Sequence, residues 1–265
     1  MSIAVSKFSS REIREQISRV PHWYHRIEVA PGIVTPGTRN SQSELRFFRL
    51  PEDCTGMRAL DIGARDGFFS FELEKRGAEV LAIDHVPETV TGLAVARKLL
   101  GSSVRFELAN VYDLSAQRFG TFDIVMFLGV LYHLRNPLLA LDRVRSVCKD
   151  RMWLESHVID FRLHDFLRGR LRKLRDLLPA LVSAPIMQFY PSDQVCQDYT
   201  NWWGPNMACL QALAESANFR VESKTKFGQR AILHCRINED PKLNYFRDLE
   251  NSVLRQTVSQ DIGQK

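Results

Sequence analysis

The sequence predicts an α/β protein built on a doubly wound, seven-stranded sheet whose last strand runs antiparallel to its neighbours. Three observations carry that prediction. Seven short apolar runs recur along the chain, most of them near-continuous, as strands covered on both faces require. Amphipathic stretches alternate with the first five runs, the pattern of βαβ units and a parallel sheet. The last two runs are separated only by Phe227, Gly228 and Gln229, a spacing that suits a hairpin and not a crossover.

The strands are expected at Met57 to Ile62, Ala78 to Ile83, Val104 to Leu108, Phe122 to Leu128, Met152 to Val158, Phe219 to Lys226 and Arg230 to Ile237. Helical patterns run over Phe68 to Arg76, Glu88 to Leu100, Pro137 to Cys148 and Met207 to Ala217, with a short crossover after the third strand. Residues 1–50 read as a helical N-terminal extension whose PGIVTPGT stretch is a loop set by its prolines and glycines. Residues 51–238 form the main domain. Within it, 159–206 is too long for an ordinary connection and reads as a helical and aromatic lid bearing on the substrate. Residues 239–265 are expected to form a helical tail.

Composition narrows the class. The chain has 265 residues, 45% hydrophobic and 25% charged, as in an ordinary soluble globular protein. The N-terminus, MSIAVSKFSSREIREQISRV, breaks its apolar residues with charges before a signal core or a membrane span of ~20 residues can form, so a cytoplasmic protein is expected. Five scattered cysteines with no CxxC pair indicate neither a disulfide framework nor a zinc site, and no metal is expected. The net charge is +5, and most of the excess lies between Arg162 and Asp176, where six Lys/Arg face two acids. Phe161, Phe166, Leu167, Leu171, Leu174 and Leu178 form a helical stripe beneath those bases. The expected basic helix, 162–176, docks with solvated charges, meets nucleic acid or an anionic substrate, or, as a third alternative, associates with a membrane.

The most informative segment is ALDIGARDGFFSFELEKRGAEVLAID, residues 59–84. A strand ends at Asp61, a loop with Gly63 and Gly67 follows, and a helix begins near Phe68, so the backbone can turn tightly and approach a ligand. The pattern is not GxGxxG. Asp66 stands where a helix N-terminus would otherwise receive a phosphate, and a carboxylate there competes with pyrophosphate. Asp61 and Asp66 instead suit a ligand bearing an ammonium and a sulfonium. Asp84 closes the next strand, the position from which a doubly wound fold accepts ribose hydroxyls. Asn110 and Val111 follow the third strand, where an amide can meet an adenine edge, and Leu128 ends the fourth.

Together these residues resemble the class I methyltransferases. The resemblance implies a Rossmann-like methyltransferase sheet, S-adenosylmethionine as cofactor, and a cofactor site made of Asp61, Gly63, Arg65, Gly67, Asp84, His85, Asn110, Val111 and Leu128. Arg65 departs from the family, which often has a glycine there. The segments GVLYHLRNPLLAL, 129–141, and LESHVID, 154–160, are similar to the bacterial tRNA wobble-uridine carboxymethyltransferase family and its small-molecule and sugar methyltransferase relatives. In the tRNA enzymes a tyrosine matching Tyr132 and an arginine matching Arg230 help hold a carboxylated cofactor. Their lysine-bearing N-terminal segment has no counterpart in HWYHRIEVAPGIVTPG, which implies plain S-adenosylmethionine.

For catalysis, His133 follows the fourth strand with a pKa in the useful range and is the first choice of base; a structural cap is its alternative role. Tyr132 is expected to shape the pocket, and His157 and Glu155 at the end of the fifth strand are further candidates. The stretch 188–206 concentrates Phe189, Tyr190, Tyr199, Trp202 and Trp203 beside Asn201 and Asn206. Tyr190, Trp202, Trp203, Asn206 and Arg230 are the expected substrate contacts, with core packing as the alternative for the aromatic residues. Three functions compete: methylation of a small-molecule or carbohydrate oxygen or nitrogen, modification of tRNA, and cofactor binding without turnover.

Overall fold

A computed structural model describes residues 8–160, 163–165, 170–173 and 181–239. Its centre is a seven-stranded sheet made of β3 (Arg58–Ile62), β4 (Glu79–Asp84), β5 (Arg105–Leu108), β6 (Phe122–Leu128), β7 (Cys148–His157), β12 (Phe219–Phe227) and β13 (Arg230–Ile237). The order across the sheet is β12-β13-β7-β6-β3-β4-β5. The strands β5, β4, β3, β6 and β7 are mutually parallel, whereas β13 runs antiparallel to both β7 and β12. The seven expected strands and the reversed last one are therefore all present.

Alternation along the central strands divides the core in two. Leu60, Ile62, Val125 and Phe127 face one layer, packed against α6 (Pro137–Val147) and α7 (Met207–Ser216). Ala59, Ala82, Ile124 and Met126 face the other, beside α3 (Phe68–Glu74) and α4 (Leu93–Leu100). Both faces of β6 are thus covered, which is why its sequence FDIVMFL shows almost no polar alternation. Edge strand β12, by contrast, buries Phe219 and then alternates exposed and half-buried positions. Helix α4 begins at Leu93, five residues later than expected, because the β-branched run Thr89-Val90-Thr91 resists helix and forms a turn.

The N-terminal extension belongs to the second layer. In it α1 (Ser10–Ser18) starts with a Ser9/Glu12 capping box and buries Ile13 and Ile17, while α2 (Ser41–Phe48) buries Phe48 completely. Trp23 donates its indole N–H to the Ile17 carbonyl, and Trp153 of β7 donates to that of Phe48. The PGIVTPGT stretch is not a bare loop: β1 (Glu28–Ala30) and β2 (Ile33–Val34) pair antiparallel around Pro31-Gly32, with Gly32 at φ 70°. Proline followed by a left-handed glycine forms a tight turn between β-branched residues.

The insertion also differs from expectation. Within the stretch read as a basic helix, β8 (Leu163–Asp165) pairs antiparallel with β9 (Arg170–Arg172), so the described residues of 162–176 are extended. Gly169 would cost a helix interior about 1 kcal/mol against alanine, and the Arg-Leu-Arg alternation suits a strand equally well. Residues 161–162, 166–169 and 174–180 lie outside the described residues, as do 240–265 of the expected C-terminal tail. Farther on, β10 (Met187–Phe189) pairs with β11 (Trp203–Pro205), and the aromatic loop runs between them. No helix among the described residues is long and apolar enough to cross a membrane.

Candidate functional site

The chain leaves β3 for β4 on one side and enters β6 on the other, so the strand order switches direction between β3 and β6. A crevice outside the carboxyl ends is the usual ligand site of such sheets. Here it is a cavity of about 1450 Å³, walled by the ends of β3, β4, β6 and β7, by the N-terminal extension and by the loop 190–202. Single-ligand pockets occupy roughly 300–1,000 Å³, so there is room for two ligands side by side.

At one end are the strand-terminal acids. Asp61 is buried with its Oδ2 accepting from Ser70 Oγ at 2.6 Å. Burial, opposed by that hydrogen bond and helped by the nearby Asp84 charge, pushes its carboxyl up to about 6. A cationic ligand group would reverse that penalty. Asp84, also buried, accepts from the Arg65 N–H at 3.0 Å and the Val86 N–H at 3.0 Å, and His85 Nδ1 lies 3.2 Å from it. Gly63 bends at φ 71° against Val130, whose side chain a Cβ would meet at 2.5 Å. Arg65 holds the left-handed conformation, φ 54°, that explains why a glycine is favoured there. Asn110 caps the turn Val111–Asp113 by accepting from Tyr112 N, which leaves its amide nitrogen as the donor for a ligand. Val111 and Leu128 supply apolar wall.

Two of the loop residues serve the frame instead. Gly67 is the left-handed N-cap of α3 and does not line the cavity. Asp66 is fully buried and accepts backbone N–H groups from Tyr24 at 2.6 Å, His25 at 2.8 Å and Gly92 at 2.9 Å. Its expected pairing with a cationic ligand is therefore corrected: it ties the extension to the domain.

At the other end stands the turn Leu131–His133 after β6. Tyr132 is buried, its hydroxyl accepts from Arg230 NH2 at 3.2 Å, and burial raises its pKa. Arg230 is bound through Nε and NH2 to the fully buried Glu155, which Arg39 of the extension also reaches at 3.4 Å. Arg39 in addition binds Glu44 at 2.8 Å and the Tyr24 hydroxyl at 3.2 Å. Two guanidiniums thus meet two carboxylates, and despite complete burial Glu155 is held below the usual carboxylate range by Arg230 and Arg39.

His133 Nδ1 lies 3.2 Å from the Thr200 carbonyl and 2.9 Å from Thr200 Oγ1, whose own proton goes to Asp198 Oδ1 at 2.6 Å. A carbonyl only accepts, and the hydroxyl has already committed its proton, so the hydrogen must sit on Nδ1. The free ring lone pair is then on Nε2, on a residue that lines the cavity. Desolvation lowers the His133 pKa, so the ring is neutral near pH 7. His157 is packed edge-on to Tyr132, with ring centroids 4.5 Å apart, and burial lowers it to about 3, too weak a base for neutral operation.

The aromatic stretch divides. Tyr190, though buried, and Trp202 both line the cavity, and Trp202 has Arg135 over one side at 4.5 Å and Phe189 stacked at 6.3 Å. Trp203 and Asn206, expected to touch substrate, do not line the cavity. Trp203 packs on Phe189, and Asn206 caps α7 while its amide donates to the carbonyls of Leu181, Val182 and Ala184. Sequence reasoning missed Asp198, Thr200, Arg39 and Tyr24, which join the site through the distant contacts of Thr200 with His133, of Arg39 with Glu155 and of Tyr24 with Asp66. Among the described residues no group of three or more His, Cys, Asp or Glu could hold a metal ion.

A doubly wound sheet with strand-terminal acids around a two-ligand crevice defines the class I methyltransferase fold. Residues 39–201 match a family model described as a methyltransferase domain, over half of the chain, and the chain belongs to that family, whose methyl donor is S-adenosylmethionine. It is 33% identical over 144 residues to a ubiquinone biosynthesis O-methyltransferase of Xanthomonas axonopodis pv. citri, covering 54% of this chain and 59% of that one. It is 32% identical over 100 residues to a magnesium-protoporphyrin O-methyltransferase of Rhodobacter capsulatus, covering 37% and 43%. The chain thus spans about half the length of these curated relatives. Among solved structures, the N-terminal domain of EvdMO1 with SAH bound aligns with a TM-score of 0.60 at 21% identity, over 87% of this chain and 97% of that one. At that identity the likeness is one of fold.

Proposed function

We propose that the protein is an S-adenosylmethionine-dependent O-methyltransferase acting on a hydroxyl of a small molecule, an aromatic or a sugar. The observation that carries this reading is that His133, which lines the cavity beyond the β6 end, has its Nδ1 engaged by Thr200, which leaves Nε2 as the nitrogen available to a ligand. When bound, the cofactor supplies a methyl carbon that forms a bond to the acceptor oxygen as its bond to sulfur breaks, the electron pair leaving on the thioether. His133 Nε2 takes the hydroxyl proton as that oxygen attacks, and later releases it to water. Asp61 receives the cofactor's ammonium, Asp84 with His85 beside it the ribose hydroxyls, and Asn110, Val111 and Leu128 the adenine. Tyr132 and the Arg230–Glu155–Arg39 cluster hold the wall between the two ligands. Because Glu155 and Glu44 neutralise Arg39 and Arg230, nothing there calls for a carboxylated donor, which supports plain S-adenosylmethionine.

The names of the O-methyltransferase relatives support an oxygen acceptor. The test is transfer of labelled methyl from the cofactor into phenols, sugars and a cell extract, with His133→Gln beside the parent. The expected result is an O-methyl product whose single-turnover rate drops ~10²- to 10⁴-fold in the variant. An N-methyl product formed equally by both proteins would remove the reading, and labelling of RNA that weakens steeply with salt would replace it with tRNA modification.

A further inference from the structure

The loop between β10 and β11 contributes more than a wall. Asp198 and Thr200 lie on it, and Thr200 reaches His133 while Asp198 holds Thr200. The loop is stapled to itself by Asn201, buried, whose Nδ2 donates to the Val195 carbonyl at 2.9 Å, and by Asp198 N–H on that same carbonyl at 3.2 Å. It is latched to the catalytic turn by the Trp202 N–H, which donates to the Tyr132 carbonyl at 2.9 Å. Between these two fastenings the chain His133 Nδ1, Thr200 Oγ1, Asp198 Oδ1 runs at 2.9 and 2.6 Å. The Thr200 N–H also donates to Asp198 Oδ1 at 2.8 Å, so the carboxylate is aimed before any ligand arrives.

We propose that Asp198 is a positioning residue that acts through the Thr200 hydroxyl on His133, so that the base is assembled by the insertion and not by the methyltransferase sheet. The proposal rests on His133 being the base. Its chemistry is that of an orienting carboxylate one hydroxyl removed. Asp198 fixes the Thr200 proton, Thr200 Oγ1 turns its lone pair to His133 Nδ1–H, and the ring keeps the tautomer with Nε2 bare. When Nε2 gains the acceptor's proton, the imidazolium formed is stabilised by the Asp198 charge. No proton passes to Asp198, and the ring returns to neutral by losing its Nε2 proton to water. The groups facing His133 are Asp198, whose charge raises its pKa, Arg230 and His85, whose charges lower it, and His157, which stands across Tyr132 and feels the His133 charge. Tyr132 lies against the ring at 4.2 Å between centroids. Asp198 itself is held below the usual carboxylate range: burial opposes ionisation, but the two Thr200 hydrogen bonds and His133 outweigh it.

The experiment compares Asp198→Asn, Thr200→Val and Thr200→Ser with the parent and His133→Gln, in single turnover at saturating S-adenosylmethionine across pH. Expected are rate losses of roughly 10- to 100-fold for Asp198→Asn and Thr200→Val, recovery with Thr200→Ser, and cofactor Kd and acceptor KM within about twofold of the parent. Loss of the Asp198 charge should also move the acidic limb of the rate profile to lower pH. Imidazole ¹⁵N spectra should show the Nδ1–H tautomer at His133 in the parent and a mixture in Asp198→Asn, a readout independent of activity. Parent-like rates and tautomer in Asp198→Asn and Thr200→Val, with His133→Gln impaired, would overturn this inference alone. A parent-like His133→Gln would overturn the base assignment beneath it. A rise in KM without a fall in kcat would make the loop a binding element only, which also overturns the proposal.

Discussion

At the proposed cofactor end of the cavity Asp61, Gly63 and Arg65 share one strand and its loop, and Asp84 takes the Arg65 N–H from 19 residues away. At the proposed acceptor end His133 Nδ1 meets Thr200, 67 residues away, and Arg39 meets Glu155 across 116. The first end is built by a local rule, an acid one residue before the end of a strand that a glycine turn follows. The second is built by segments outside the sheet that converge on it. Cofactor binding should therefore tolerate changes in the extension and insertion, whereas turnover should not.

The contact that ties the extension to the domain is Asp66, and its removal should have the largest structural effect. Asp66→Ala leaves the N–H groups of Tyr24, His25 and Gly92 without their acceptor. At about 1–3 kcal/mol for each buried unsatisfied donor, a loss of at least ~3 kcal/mol in denaturant unfolding is expected. A loss below ~1 kcal/mol would mean that the extension is held by its apolar contacts alone.

A smaller effect sharpens the cofactor end. With the ligand-free Asp61 carboxyl at about 6, the group is already ionised above that pH and must lose a proton before pairing with an ammonium below it. Affinity for S-adenosylmethionine should thus be flat above pH ~6 and fall about tenfold per unit below it. Calorimetry across that range checks this, and Asp61→Asn should bind more weakly and without the slope. The smallest effect is at Arg65, whose left-handed backbone costs about 1 kcal/mol relative to glycine. Arg65→Gly should raise Tm by roughly 2 °C, and an unchanged or lower Tm would show that the arginine side chain offsets the strain.

The same division governs what could be read from the sequence. The runs Phe122–Leu128 and Arg230–Ile237 are bounded by turn residues and emerge as β6 and β13 with those ends. Asp61 and Asp84 were legible because a polar residue ending a buried apolar run is conspicuous. Asp66 misled, since its position in the glycine loop suggests a ligand while its partners lie 26 to 42 residues away. Asp198 and Thr200 carry no sequence signal, because they stand in an aromatic stretch as ordinary loop residues and meet His133 only in the fold. Asn206 looked like a pocket amide because the need of α7 for an N-cap is expressed by the same residue type. The basic stretch 162–176 fitted a helical stripe because leucines every three or four residues do not distinguish a helix from a short hairpin of alternating residues.

The central claim is that one cavity has a cofactor end and a separate base at its acceptor end, and two variants measured in parallel test it most directly. Asp84→Asn and His133→Gln are each assayed for S-adenosylmethionine Kd by calorimetry and for methyl transfer in single turnover at saturating cofactor. The account predicts that Asp84→Asn raises Kd by about 30-fold, from the loss of charge-assisted bonds worth about 2 kcal/mol, and leaves the saturated rate within a few-fold of the parent. It predicts that His133→Gln leaves Kd within about threefold and lowers the rate at least ~100-fold. Unchanged affinity in the first variant, or equal losses of affinity and rate in the second, would contradict it.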